Sequence, residues 1–152
     1  MGILNDHMKR VVTEQRLGFV ATVNKGDTPN LLSKGTIMVC NDDSIMFAEI
    51  CSPQSVPNLK RNTAAEINFV DSISREDYRF KNRLRLVSPS DDEYEELSER
   101  SASWGPLTER VKAVVILDIE QANKVTSPAY DIGTAEEALR VKWLGHFQAI
   151  QP

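Results

Sequence analysis

The chain has 152 residues, of which 41% are hydrophobic and 26% charged. That is the mix of a soluble globular domain, long enough to bury a core without disulfides or a structural metal. Its 18 Lys and Arg against 22 Asp and Glu give a formal charge of -4, which excludes a surface built mainly to coat nucleic-acid phosphates. The two cysteines, Cys40 and Cys51, form neither a zinc cage nor a disulfide framework and read as residues of a reducing compartment. The N-terminus, Met1 to Val12, lacks the apolar stretch of a secretory signal, and the longest apolar run, Ala113 to Leu117, is too short to cross a bilayer. These features describe a single cytoplasmic domain spanning the chain, with no nucleic-acid or membrane partner.

In chain order, Leu4, Met8, Val11 and Val12 recur at helical spacing, with Asn5 or Asp6 as cap, and predict a helix to about Arg16. Phe19 to Val23 reads as a buried strand. Lys25-Gly26-Asp27-Thr28-Pro29 reads as a turn, Gly and Asp being suited to positive φ. A second strand is expected from about Asn30 to Val39 and a third from Ser44 to Ile50, separated by the turn Asn41-Asp42-Asp43.

Ser52-Pro53-Gln54-Ser55 reads as the opening of a short helix ending near Arg61-Asn62, with Ser as cap and Pro in the first turn. Ala65 to Val70 is the fourth strand, Asp71 to Asp77 a polar connection. Tyr78, Phe80, Leu84 and Leu86 then alternate with Arg79, Lys81, Arg83 and Arg85 in the clearest strand of the sequence. Ser90 to Glu93 reads as a capping box ahead of an acidic helix ending at Trp104-Gly105-Pro106. Val111 to Ile119 is the sixth strand, and Thr134 to Glu137 a second capping box before a last helix through Leu139, Val141 and Trp143. Six strands with hairpin-length links and no βαβ alternation predict a mostly β (α+β) fold, an antiparallel sheet closed into a small barrel with peripheral helices.

Much familiar chemistry is missing. The sequence has no G-x-G-x-x-G, no P-loop and no G-x-S-x-G, and its two histidines, His7 and His146, lie near opposite ends of the chain. No metal site is read from it. Catalysis, if any, therefore falls to a cofactor.

Three groups of residues remain as candidates. Cys51 to Ser55 follows a strand and opens a helix, where free N–H groups, two hydroxyls and an amide form an anion site; Ser52 or Ser55 acting only as a cap is the competing reading. Ser33-Lys34-Gly35-Thr36 places a glycine inside a strand, marking a bulge or the close approach of a ligand, with Lys34 and Thr36 as donors on one face. The cationic row Arg79, Lys81, Arg83 and Arg85 needs an opposing acid, for which Asp91 to Glu99 is available, although Arg79 and Lys81 also suit a ligand or partner.

The runs from Gly18 to Asn24, Gly26 to Asn30 and Ser33 to Thr36, followed by Asn58 to Asn62, Ala65 to Asn68 and Tyr78 to Lys81, resemble the flavin mononucleotide (FMN)-binding split barrels of the pyridoxamine 5′-phosphate oxidase-like superfamily. The resemblance covers about Met8 to Glu120. It implies a six-stranded antiparallel split barrel and a homodimer with FMN at the subunit interface. Ser33, Lys34, Gly35 and Thr36 would lie along the flavin ring, with Lys34 near its N1 and O2 edge. Glu49, Ile50 and Cys51 would pass beside it, and Ser52, Gln54 and Ser55 would take the phosphate, with Gln54 where relatives often place Lys or Arg. The C-terminal Arg- and His-bearing segment of true pyridoxamine phosphate oxidases is not matched, so the expectation is a small flavin-dependent oxidoreductase that acts on a small-molecule electron donor or acceptor other than vitamin B6. Its rivals are a flavin carrier or sensor without turnover, and a split barrel holding haem, with His146 as ligand, or a deazaflavin.

Overall fold

The computed structural model describes residues 2–152. Helix α1 (Asp6–Gln15) opens the fold, its first turn capped by the Asn5 side chain, which accepts the Met8 N–H at 2.9 Å. Seven strands follow: β1 (Gly18–Val23), β2 (Pro29–Lys34), β3 (Ile37–Asn41), β4 (Ser44–Glu49), β5 (Ala64–Asp71), β6 (Glu76–Val87) and β7 (Ala113–Thr126). Helix α2 (Ser55–Arg61) lies between β4 and β5, α3 (Tyr94–Arg100) and a 3₁₀ segment (Ser101–Arg110) between β6 and β7, and α4 (Glu136–Ala149) ends the chain. All pairings are antiparallel, in one sheet of order β2-β1-β5-β6-β7-β4-β3.

That order fixes the shape. The edge strands β2 and β3 are consecutive in the chain, separated only by Gly35 and Thr36. Three Cα–Cα steps span at most about 11 Å, so the sheet must curl until its two edges meet. The result is an antiparallel half-barrel with a seam at Gly35-Thr36. Here the structure corrects the expected strand from Asn30 to Val39: its first half pairs with β1, Gly18 facing Lys34, and its second half with β4, Ile37 facing Phe47. One extended run serves both edges, so there are seven strands where six were expected.

Other boundaries shift for identifiable reasons. The turn between β1 and β2 forms as predicted, with φ of 93° at Gly26 and 61° at Asp27. Asp71 to Asp77 is no long connection, because β5 runs to Asp71 and β6 starts at Glu76. The Asp71 carboxylate accepts the N–H groups of Ile73 at 2.9 Å and Ser74 at 3.1 Å and so closes that turn itself. The sixth expected strand is β7, which runs on to Thr126 past a register shift opposite Lys81 and Asn82. Neither capping box bonds: Glu93 and Ala135 hold the positions before α3 and α4, without side-chain caps. Ser52 does not cap α2 either; Gln54 precedes that helix and makes no side-chain cap bond.

The core fills the concave side of the sheet, with Val20, Ile45, Phe47, Ile67, Phe69, Phe80, Leu84 and Leu117 closed over by Val11 and Val12 of α1. A second cluster, Met46, Val87, Leu97, Val114 and Ile116, packs on the other side of β4 and β7 beneath Tyr94 and Trp104. Strand β4 is therefore buried along its whole length. Each such side chain contributes roughly 1.5–3 kcal/mol relative to exposure, enough to hold the end of β4 rigidly where it meets α2.

Candidate functional site

Three of the candidate residues converge where the seam meets the end of β4. Lys34, the last residue of β2, turns inward with its side chain 11% exposed. Its ammonium donates to the Ser52 hydroxyl, lies 3.8 Å from Glu49 Oε2 and sits over the Phe47 ring, 5.6 Å from the centroid. Glu49, the last residue of β4, is 6% exposed at its side chain. Its Oε1 accepts the Ser52 N–H at 2.8 Å, and its Oε2 has no hydrogen-bond partner. The Lys34 ammonium is the charge that compensates this buried carboxylate.

Glu49 and Ser52 border an open cleft of about 390 Å³ that is also lined by Cys51, Val56, Leu86, Ser88 and Lys112, among others, with Lys34 behind them. Cys51 is exposed at its mouth. Leu86, Ser88 and Lys112 were not legible in the sequence as site residues. They arrive because β6 and β7 pair antiparallel, with Val87 facing Val114, and because the Lys112 N–H donates to the Glu49 carbonyl at 2.8 Å. No local motif marks them.

The remaining candidates disperse. Thr36 does not share a strand face with Lys34, because the bend at Gly35 intervenes; its Oγ1 accepts the Ala48 N–H at 3.3 Å instead. Ser33 and Gly35 are exposed, Ile50 is half-buried, Gln54 is exposed and Ser55 is buried. A Cβ built on Gly35 would meet only the Arg16 carbonyl oxygen, at 3.8 Å, so no packing inside the protomer requires a glycine there.

Part of the expected anion site is engaged within the chain, while the Gln54 side chain makes no cap bond. The Ser52 N–H goes to Glu49, the Ser55 N–H goes to the Ser52 carbonyl at 3.1 Å, and Pro57, in the first turn of α2, has no N–H. Asn58, buried in α2, donates to Asn24 Oδ1 at 2.9 Å and ties the helix to the end of β1.

Three of the four cations of the row meet acids within the chain. Arg79 and Lys81 face Glu66 at 3.5 and 3.2 Å, Arg83 donates to Thr63, and Arg85 pairs with Asp118 at 3.0 Å and with Glu93. Only Glu93 comes from the acidic stretch expected to neutralise it. His7 shares a hydrogen bond of 2.7 Å with Tyr78, whose hydroxyl is pushed up by burial. His146 is exposed on α4, edge-on to Trp143 and Phe147. Trp143 lies under the Arg75 guanidinium, 3.5 Å from its centroid, anchoring α4 to the β5–β6 turn. Among the described residues no three His, Cys, Asp or Glu side chains gather as a metal site, and no helix is long and apolar enough to cross a membrane.

With sheet order, seam and cleft in place, comparison with known proteins is decisive on lineage. Residues 4–125 match the family model for pyridoxamine 5′-phosphate oxidase, and the chain belongs to that family. It is similar in structure to HupZ of Group A Streptococcus, at 25% identity and a TM-score of 0.69 over 82% of this chain and 96% of that one. A pyridoxamine 5′-phosphate oxidase-related, FMN-binding protein of Nostoc punctiforme superposes with a TM-score of 0.60, at 18% identity over 79% of this chain and 78% of that one. An FMN-binding protein of Syntrophomonas wolfei superposes with a TM-score of 0.62, at 13% identity over 78% and 84%. These last two likenesses concern the fold. No curated protein matches the sequence.

Proposed function

We propose that this protein binds a flavin, FMN in the family's manner, in the cleft at the end of β4, and works as a small homodimeric flavin-dependent oxidoreductase whose substrate is not vitamin B6. The observation that carries the proposal is the open cleft at the end of β4, where the polar groups of Glu49, Ser52 and Ser88 stand beside the apolar side chains of Val56 and Leu86. A flavin pairs an apolar ring with a polar ribityl chain, which suits that mixed lining. Gly35, at the seam beside a separate cavity lined by Arg16, Ile37 and Trp104, leaves its backbone open to a ligand that extends past Lys34. Membership in the family supports the same cofactor.

A bound flavin supplies hydride acceptance, which no side-chain group at the cleft offers. The chain's own part is to hold and shield it. Lys34 stands behind Glu49 and Ser52 and holds both in place, and the buried end of β4 fixes the Glu49 carbonyl and carboxylate. A carrier or sensor without turnover is the second reading. It is favoured by the fact that the buried ionisable groups at the cleft, Lys34 and Glu49, face each other and leave no free general acid.

The absorbance spectrum of the purified protein, before and after addition of excess FMN and desalting, tests the cofactor. Retained flavin bands are expected, and a folded protein that retains none refutes it. Oxidation of reduced nicotinamide above the rate of free FMN then separates the oxidoreductase from the carrier.

A further inference from the structure

The turn between β5 and β6 carries charges that the flavin cleft does not use. Arg75 sits there with φ of 62°, in the left-handed region that glycine or asparagine fills at lower cost. Its backbone is pinned on both sides: its N–H donates to the Asp71 carbonyl at 2.7 Å, and its carbonyl accepts the Ser127 N–H at 3.0 Å. Its guanidinium lies over Trp143, 3.5 Å from the ring centroid. Stacking at that distance uses the face of the guanidinium and leaves its N–H edge for hydrogen bonds. Among the described residues that edge makes no hydrogen bond or ion pair, and Nε is buried without an acceptor. The neighbouring acids are already taken, Asp71 by Arg140 at 2.9 Å and Glu76 by Lys124 at 2.6 Å.

Asp77, two residues on, is the counterpart. It is half-buried and, among the described residues, has no cation within 4 Å; Arg75 and Arg79 act on it only from farther away, and burial pushes its carboxyl up. Arg75 and Asp77 both line a cavity of about 380 Å³, with Val70, Val125 and Trp143 as its apolar wall. Two opposite charges thus face one space without pairing. An anion entering it leaves Asp77 unmatched, and a cation leaves Arg75 unmatched. A ligand that carries both charges matches both.

We propose that this cavity binds a small zwitterion of the amino-acid class, its carboxylate taken by the terminal N–H groups of Arg75, its ammonium by Asp77, and an apolar side chain lying against Val70 and Val125. The site shares no lining residue with the cleft at the end of β4, so it is independent of whether that cleft takes a flavin.

The test is calorimetric titration of the purified protein with leucine, 4-methylpentanoate and 3-methylbutylamine, the last two being leucine without its ammonium and without its carboxylate. Leucine should bind about tenfold or more tighter than either. Asp77→Asn removes only the negative charge and should bring leucine to within about threefold of 4-methylpentanoate. Arg75→Lys keeps a charge but loses the planar fork; it should weaken leucine and 4-methylpentanoate by about tenfold and leave 3-methylbutylamine unchanged. Where Arg75→Lys does not fold, Asp77→Asn carries the comparison.

Failure of leucine to bind the folded wild-type protein at about 10 mM overturns the proposal. So does leucine that binds no tighter than either analogue, or an affinity for leucine that Asp77→Asn does not move. An Arg75→Lys protein that melts earlier yet holds leucine as wild type does makes Arg75 an anchor for α4 alone, and overturns it as well.

Discussion

Two glycines face the same region with opposite consequences, and substituting each by alanine separates folding from binding. At Gly18 a Cβ would lie 2.5 Å from Ile37 Cδ1 and 2.9 Å from Phe69 Cζ. Phe69 is fully buried and cannot swing away. Gly18→Ala should therefore cost about 1–3 kcal/mol by overpacking, a fall of roughly 2–10 °C in Tm for a domain this size. At Gly35 the same methyl meets only the Arg16 carbonyl oxygen at 3.8 Å, and φ is not in the left-handed region. Gly35→Ala should leave Tm unchanged or raise it by a degree or two, since alanine narrows the unfolded ensemble by about 0.4–1 kcal/mol. Flavin affinity should nonetheless fall about tenfold or more, because the added methyl stands where the proposed ring runs along the corner between β2 and β3. Thermal unfolding of the flavin-free proteins and fluorescence titration with FMN give both numbers. A Gly35→Ala protein that binds flavin as tightly as wild type would refute the close approach at this corner, and one that unfolds as readily as Gly18→Ala would refute the steric reasoning.

Gln54→Lys adds a cation beside the start of α2, where the exposed Gln54 makes no cap bond. It should tighten FMN several-fold without moving riboflavin, and an unchanged or larger dissociation constant for FMN would count against phosphate lying there. Burial alone would push the Asp71 carboxyl up, but the Ser74 N–H and hydroxyl, the Ile73 N–H and the nearby Arg140 hold it below the usual carboxylate range. A carboxyl lowered in the folded state stabilises above its unfolded pKa of about 3.9 and loses that contribution as pH falls. Asp71→Asn should thus be less stable than wild type at pH 7, with the gap in urea midpoints closing as pH drops below about 4; a gap constant from pH 7 to pH 3 would refute the linkage. Light scattering should give the mass of a dimer, since Val141, Leu144 and Ile150 of the C-terminal region are left exposed on one protomer. A monomer mass with flavin bound would remove the shared interface.

Much of the fold was legible because its signals are local. The alternation of Tyr78, Phe80, Leu84 and Leu86 needs only the period of a strand, and Gly26-Asp27 needs only the positive φ that a tight turn imposes. The seam was not legible, because residues from Asn30 to Val39 are extended on both sides of Gly35 and nothing local tells which strand each half pairs with. The helix start was misplaced for a related reason. Ser52 followed by Pro53 has the chemistry of a cap, yet its N–H is taken by Glu49 three positions earlier and its hydroxyl by Lys34, 18 positions away. In the site, the contacts among Lys34, Glu49 and Ser52 join residues up to 18 positions apart and arise only when the sheet closes.

That closure ties binding to stability. Lys34 ends β2, at one edge of the sheet, and Glu49 ends β4, next to the other edge strand, β3. Their contact, together with the Lys34–Ser52 bond, therefore spans the seam in space as Gly35-Thr36 spans it along the chain. A ligand that occupies the cleft and leaves this pair in place keeps the seam shut, so it stabilises the fold by mass action. A ligand that needs Lys34 for itself must first separate a buried pair, and the carboxylate left behind without its cation opposes that exchange. The same two charges that close the half-barrel thus resist any ligand that would part them.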